Sequence, residues 1–178
     1  MNSIGLPSVK KVAVIGPECT GKSALSEFLA HHYQTSWVPE YARGYIGNLV
    51  RPYEQSDLLA IAHGQMRIED EWARGTEKLL ICDTNLYVIK VWSEFKFGSC
   101  DKEILNQIAT RKYDLYLLTY VDIPWQTDPL REHPDKRQEL YELYLNEMRN
   151  QSVPFVEIKG ERELRQKTAV DAIEKLLT

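Results

Sequence analysis

Eight residues near the amino terminus have the types and the spacing that bind phosphate groups. They read Gly16-Pro17-Glu18-Cys19-Thr20-Gly21-Lys22-Ser23 and fit the P-loop pattern G-x-x-x-x-G-K-[ST]. The glycines let the backbone turn tightly, so that consecutive N–H groups point at phosphate oxygens. Lys22 is expected to reach the β- and γ-phosphates of ATP, and the Ser23 hydroxyl to ligate Mg²⁺. The predicted ATP-binding residues are Gly16, Glu18, Cys19, Thr20, Gly21, Lys22 and Ser23.

The second candidate for metal chemistry is an acid at the end of an apolar run. Lys78-Leu79-Leu80-Ile81-Cys82 leads into Asp83, which is typical of a Walker B strand whose carboxylate meets Mg²⁺ directly or through water. An Asp at this point can also cap the next helix. Because a P-loop precedes it by about sixty residues, the metal role is favoured, and Ser23 and Asp83 are the predicted magnesium ligands.

A polar and aromatic segment offers residues for a second substrate. It reads Pro39-Glu40-Tyr41-Ala42-Arg43 and follows a short predicted strand at residues 36–38. In an α/β sheet, the carboxyl end of this strand faces the same crevice as the phosphate loop. We therefore expect Glu40, Tyr41 and Arg43 at the acceptor site, although a solvated turn with an ion pair between Glu40 and Arg43 fits the pattern equally well.

Three further residues are candidates for binding the second substrate. Gln65 is the polar member of an apolar helical stripe that includes Leu58 and Trp72, so it either bonds backbone groups or reaches a ligand. Trp125 and Asp128 lie in a proline-rich loop after a predicted strand at residues 114–119, and they are also candidates for the acceptor site.

Arginines near this loop could stabilise charge on a transferred phosphoryl group. Arg131 follows a rigid proline turn and is the better placed, and Arg137 is the second candidate. Solvated surface arginines are the alternative. Lys22, Glu40, Arg131 and Arg137 are therefore the predicted catalytic residues.

The elements that must position these residues alternate along the whole chain. Val12-Ala13-Val14-Ile15 is typical of a buried parallel strand, and Leu25, Phe28 and Leu29 have helical spacing. Further helices are predicted at residues 54–77, 85–97, 103–110 and 134–150, the last with Leu140, Leu143, Tyr144 and Met148 on one face, and near the end of the chain. The last strand, at residues 153–158, contains Pro154, which suits a sheet edge. We predict one α/β P-loop NTPase domain over residues 1–178, with a five-stranded, mostly parallel sheet, helices on both faces and a small lid at about 125–150.

Composition limits the partners and the compartment. A length of 178 residues suits one domain, and a net charge of −4 argues against a nucleic-acid-binding surface. Three widely spaced cysteines without a C-x-x-C pair favour a reducing cytoplasm over a disulfide framework or a zinc site. Residues 1–7 have no leader pattern, and no apolar run reaches the roughly eighteen residues of a membrane span. The sequence leaves the oligomeric state open.

Several motifs together resemble the ribosylnicotinamide kinase domain of NadR-type NAD biosynthesis proteins. They are GPECTGKS, PEYAR, Gly64-Gln65, ICDTN and IPWQTDPLR, and the resemblance runs from about Lys11 to the end of the chain. It implies transfer of the ATP γ-phosphate to the 5′-hydroxyl of nicotinamide riboside, with Mg²⁺, by a stand-alone kinase, because nothing precedes the first strand. Where this chain has Asn85, the family often has Asp, so an ionic role for a second acid is absent here.

Phosphoryl transfer to this acceptor would give several residues the following roles. Arg131 and Arg137 close over the γ-phosphate, and either Glu40 or Asp83 accepts the proton of the 5′-hydroxyl; Glu40 is favoured because Asp83 has the metal role. Tyr41, Trp37 and Trp125 are candidate faces for the cationic nicotinamide ring. By analogy with other P-loop kinases, adenine lies near Gly160, Glu161 and Arg162.

Two other functions fit the motifs. One is a P-loop kinase for another nucleoside, a coenzyme precursor or a polynucleotide end, although the acidic composition disfavours the last of these acceptors. The other is a nucleotide-binding regulatory module with little turnover.

Overall fold

The computed structural model describes residues 9–178, and the segment 1–7, for which no leader is predicted, lies outside the described residues. The sheet has five strands, which are β1 (Lys10–Ile15), β2 (Trp37–Val38), β3 (Leu79–Asp83), β4 (Leu115–Thr119) and β5 (Phe155–Ile158). Their order is β2-β3-β1-β4-β5, and every neighbouring pair is parallel. The predicted five-stranded α/β fold is confirmed, and β5 lies at an edge as Pro154 indicates.

The connecting helices are α1 (Lys22–His32), α2 (Tyr41–Gly47), α3 (Gln55–Arg74), α4 (Leu86–Phe97), α5 (Lys102–Thr110), α6 (Arg137–Arg149) and α7 (Arg162–Leu177). A short 3₁₀ turn, Pro134–Lys136, precedes α6. One face of the sheet packs against α1 and α7, and the other packs against α4 and α6. Among residues 9–178, no helix is both long enough and apolar enough to cross a lipid bilayer.

Strand β1 is the centre of the sheet, and its sequence explains why. Val12 and Val14 pack on the side of α1 and α7, whereas Ala13 and Ile15 pack on the side of α4 and α6. All four side chains are fully buried, because alternate residues of a strand face opposite sides and both sides are covered here. The carboxyl end of β1 therefore delivers the phosphate loop to the middle of the sheet edge.

Three details differ from the prediction. Helix α2 occupies a segment for which the sequence predicts no helix. Leu143 is 40% exposed, because the buried arc of α6 is formed by Leu140, Tyr144 and their neighbours and Leu143 falls outside it. Trp72 lies in the last turns of α3 and is 39% exposed, so the apolar stripe of that helix is buried only in its earlier part.

Candidate active site

The P-loop connects β1 to α1 and approaches β4 very closely. Gly16 has a φ of +137°, and a Cβ built on it would lie 2.5 Å from Thr119 Oγ1. The buried Thr20 hydroxyl shares a 2.7 Å hydrogen bond with that of Thr119 and donates another of 2.7 Å to the Pro17 carbonyl. Glycine is therefore required at position 16, and Thr119 at the end of β4 stabilises the loop.

Lys22 is the first residue of α1, and its ammonium donates a 2.7 Å hydrogen bond to the carbonyl oxygen of Pro17. Burial lowers the pKa of this ammonium, whereas the carboxylates of Glu40, Asp83 and Glu18 raise it. A desolvated cation that bonds only a neutral carbonyl gains from an incoming anion. The loop is therefore suited to a polyphosphate.

Asp83 is the last residue of β3, and only 3% of it is exposed. Burial raises the pKa of its carboxyl group to about 6, against the lowering effects of the Ser23 hydroxyl and of Lys22. Its Oδ1 atom is buried without a hydrogen-bond partner. An orphaned carboxylate oxygen beside a hydroxyl fits a hard cation such as Mg²⁺, which takes oxygen ligands.

The residues near Asp83 also limit which cations the site can hold. Within residues 9–178, no group of three or more His, Cys, Asp or Glu side chains could hold a metal by itself. Mg²⁺ is usually bound by one or two protein ligands together with substrate phosphates and waters, so Ser23 and Asp83 are sufficient for it.

Asn85 stands where the resembled family often has a second acid. Its Oδ1 accepts a 3.0 Å hydrogen bond from the Tyr87 backbone N–H, and this contact caps the amino terminus of α4. Only 1% of Asn85 is exposed. The amide at this position therefore has a structural partner that requires no charge.

Residues 122–136, which join β4 to α6, cover the phosphate loop and are called the lid segment below. Arg131 Nη1 lies 3.3 Å from Cys19 Sγ and donates a 2.6 Å hydrogen bond to the Gln126 carbonyl. Arg137, directly after the lid segment, donates to the carbonyls of Cys19, at 3.1 Å, and Ile123, at 2.8 Å. The structure therefore brings both predicted arginines to the P-loop.

Arg162 and Arg165 occupy different surroundings at the start of α7. Arg162 is exposed and is not a lining residue of the cleft described below. The buried Arg165 donates to the carbonyls of Gly160, at 2.7 Å, and Thr20, at 3.0 Å, and it pairs with Asp122. Arg165 thus connects the P-loop to α7, a contact that the sequence reasoning missed.

A cleft of about 500 Å³ opens beside the P-loop. One side consists of residues 16–24, and Glu40 and Arg43 project into it from α2 and the residue before it. Trp92 and Phe95 on α4 and Tyr144 on α6 form an aromatic wall. A phosphate site and a space for a small aromatic molecule are therefore continuous.

Most of the other predicted acceptor residues have contacts outside this cleft. Gln65 accepts the Tyr41 N–H at 2.8 Å and donates to the Pro39 carbonyl at 3.2 Å, so its side chain bonds backbone groups. The Tyr41 ring packs on Gly64, where an added Cβ would lie 2.1 Å from it.

Arg43 pairs with Asp128 at 3.0 Å rather than with Glu40, so an ion pair links α2 to the lid segment. The Arg137 guanidinium lies 5.6 Å from the centre of the Trp125 ring. Trp37 packs with the core beneath α1 and α7.

Glu18 has a role that the P-loop pattern does not predict. Its carboxylate accepts the backbone N–H of Glu132 at 3.1 and 3.0 Å, and also that of His133. The P-loop therefore holds the backbone of the lid segment as well as the lid arginines.

Sequence reasoning also missed the aromatic wall of Trp92, Phe95 and Tyr144. The available signal was the three-residue spacing of Trp92 and Phe95, which places both rings on one face of α4.

Several known proteins are similar to this chain in sequence. The family model described as "AAA domain" matches residues 11–165. The trifunctional NAD biosynthesis/regulator protein NadR of Escherichia coli (strain K12) is 26% identical over 159 residues, which are 86% of this chain and 39% of that protein. The chain thus spans about two fifths of the length of the curated relatives it matches. The resemblance to NadR proteins is confirmed.

Solved structures share the fold. The crystal structure of a NadR protein in complex with NR has a TM-score of 0.79 at 22% identity, over 96% of this chain and 52% of that chain. Thymidylate kinase from Ehrlichia chaffeensis has a TM-score of 0.65 at 15% identity, over 96% of this chain and 100% of that chain. The architecture is therefore that of P-loop kinases.

Proposed function

The chain belongs to the AAA domain family, and we propose that it is an ATP-dependent kinase whose acceptor is nicotinamide riboside. The γ-phosphoryl group of ATP passes to the ribose 5′-hydroxyl, giving ADP and nicotinamide mononucleotide, a step of NAD salvage. Two findings support this acceptor. The chain is similar to NadR in sequence, and a NadR structure contains NR, which is nicotinamide riboside. Because the chain spans about two fifths of those relatives, the proposal concerns this one step.

The cleft is the observation that carries the proposal. Its P-loop side suits the phosphates of ATP, and its other side offers the rings of Trp92, Phe95 and Tyr144. The nicotinamide ring of the riboside is cationic, and a cation is attracted to aromatic faces and to carboxylates. Glu18 and Glu40 line the same space.

Phosphoryl transfer depends on positioning and charge neutralisation more than on covalent chemistry. Lys22 exchanges its bond to the Pro17 carbonyl for phosphate oxygens. Arg131 and Arg137, which already reach Cys19, stabilise the negative charge that develops on the transferred group. Mg²⁺, when bound by Ser23 and Asp83, supplies further neutralisation of the phosphates.

Glu40 is the carboxylate that we assign to the acceptor hydroxyl. It precedes α2 and lines the same cleft as the P-loop, so it can orient the 5′-hydroxyl and accept its proton. Asp83 is less suited to this role, because it is buried at the end of β3 and has the unpartnered oxygen that fits the metal.

The first test is ATP consumption by the purified protein with Mg²⁺. The acceptors to compare are nicotinamide riboside, adenosine, thymidine, pantothenate and a DNA 5′-hydroxyl end, with Lys22→Ala as the inactive control. Selective turnover of nicotinamide riboside is expected. Selective turnover of another acceptor would replace the proposed substrate, and a kinase for another nucleoside is the second candidate because a deoxyadenosine kinase from M. mycoides shares the fold, with a TM-score of 0.60. Tight ATP binding without turnover of any acceptor would instead indicate a regulatory module.

A further inference from the structure

Glu132 joins three parts of the molecule at the edge of the cleft. It follows Arg131 in the lid segment, and its backbone N–H donates to the Glu18 carboxylate of the P-loop at 3.1 and 3.0 Å. Its own carboxylate accepts a 2.8 Å hydrogen bond from Lys96 Nζ of α4 and another from the Tyr53 hydroxyl. The lid segment is thus held by the P-loop, by Tyr53 and by α4.

Tyr53 continues this connection to the aromatic wall. Its hydroxyl accepts a 2.8 Å hydrogen bond from the indole N–H of Trp92, which lines the cleft. The Lys96 ammonium lies 3.7 Å from the centre of the Tyr53 ring, and the Tyr53 and Trp92 rings meet edge to face at 4.9 Å. A single path of hydrogen bonds therefore runs from Glu132 through Tyr53 to Trp92.

The charges in this group are partly removed from water. The side chain of Glu132 is 37% exposed and that of Lys96 is 30% exposed. Burial acts to raise the pKa of Glu132, but the bonds from Lys96 and Tyr53 outweigh it, and the pKa is lowered. Glu132 is therefore ionised at neutral pH, and charge-assisted hydrogen bonds to it are stronger than neutral ones.

We propose that Tyr53, Lys96 and Glu132 form a clasp that holds the lid segment shut and makes its closure depend on the acceptor bound against Trp92. The dependence on an acceptor rests on the proposed function. An acceptor that packs on the Trp92 ring restricts the indole and with it the Tyr53 hydroxyl that binds Glu132. Since Arg131 precedes Glu132, clasp closure also sets the position of the arginine at the P-loop. The three clasp residues are positioning residues.

Closure has a second consequence for the reaction. A closed lid segment excludes water from the γ-phosphate, and water otherwise accepts the phosphoryl group to give ADP and inorganic phosphate. An open clasp therefore separates ATP consumption from acceptor phosphorylation.

Three conservative variants test the clasp. Tyr53→Phe removes only the hydroxyl, Lys96→Met keeps the aliphatic stem, and Glu132→Gln keeps the shape without the charge. Each is compared with the wild type by hydrogen–deuterium exchange of residues 122–137 without ligand, by KM for the acceptor and for ATP, and by the ratio of ADP to phosphorylated acceptor.

Matched controls lie far from the cleft. Tyr33→Phe removes a hydroxyl that donates to the Val170 carbonyl at 3.3 Å. Lys167→Met removes an exposed ammonium that pairs with Asp171 on α7. Thermal midpoints of all variants identify any that unfold.

In the clasp variants, lid exchange and acceptor KM should each rise about tenfold, because a hydrogen bond to a charged group is lost. The KM for ATP should stay within about twofold, and the ADP ratio should exceed that of the wild type. Lid exchange equal to that of the controls would overturn the clasp. Faster exchange with unchanged acceptor KM would overturn its dependence on the acceptor. If the wild type phosphorylates no acceptor, the proposed function fails, and lid exchange alone decides whether the clasp holds the lid segment.

Discussion

Replacing Asp83 with Asn should make the ligand-free protein more stable while it impairs catalysis. The carboxyl group is 3% exposed at the end of β3, and burial raises its pKa from 3.8 to about 6. One pKa unit corresponds to about 1.4 kcal/mol, so ionised Asp83 destabilises the folded state by up to about 3 kcal/mol. An amide of the same shape carries no charge and avoids this cost.

The sign of the pH dependence follows from the direction of the shift. The folded state binds the proton of Asp83 more tightly than the unfolded chain does, so the stability that this group contributes falls as pH rises from about 4 to 6. Asp83→Asn should therefore match the wild type near pH 4 and exceed its unfolding free energy by up to about 3 kcal/mol at pH 8.

Urea unfolding followed by circular dichroism at pH 4.5, 6 and 8 measures this difference. Glu27→Gln, which removes an exposed carboxylate from α1, is the matched control and should change stability little at any of these pH values. A stability difference between Asp83→Asn and the wild type that stays constant across the three pH values would refute the reasoning. In the kinase assay, the same variant should lose Mg²⁺-dependent turnover.

Three further substitutions test the site. Lys22→Ala should lower kcat/KM by at least about 10²-fold, measured by ADP formation, because a charge that stabilises the phosphates is removed. Glu40→Gln should lower kcat by about 10²-fold while the Kd for ATP, measured by calorimetry, changes little; full turnover would exclude Glu40 as the base. Gly16→Ala should destabilise the fold by about 2–4 kcal/mol in thermal and urea unfolding, since its Cβ would lie 2.5 Å from Thr119 Oγ1 at a φ of +137°. Wild-type stability of that variant would contradict the close approach.

The parts of the fold that the sequence predicts are those with local signals. Val12-Ala13-Val14-Ile15 and the run ending at Asp83 have the apolar composition of buried parallel strands, and the P-loop is itself a local pattern. Helix α2 has no such signal, because Gly44 and Gly47 interrupt any apolar periodicity. It is stabilised by distant contacts, the packing of Tyr41 on Gly64 and the bond from its N–H to Gln65.

The same distinction separates the predicted and missed parts of the site. The phosphate-binding residues are contiguous, so a pattern detects them. The aromatic wall combines Trp92 and Tyr144 from different helices, and Glu18 meets Glu132 across 114 residues of chain. The pattern of apolar residues within one segment cannot predict contacts between residues that are so distant in sequence. The resemblance to NadR proteins suggested aromatic faces for the acceptor. The Tyr41 ring instead packs on Gly64 of α3, and Trp37 packs against the core.

The central place of β1 has a consequence for synthesis of the protein. β1 leaves the ribosome first among the strands, yet its neighbours β3 and β4 begin only at Leu79 and Leu115. The loop after β1 needs Thr119 beneath Gly16, and parallel pairing over such sequence separations forms slowly. A nascent chain that has not yet exposed β4 therefore carries the complete phosphate-binding motif without its support. Nucleotide can therefore stabilise this domain only after β4 has been synthesised, so that bound ATP favours the late stages of its folding.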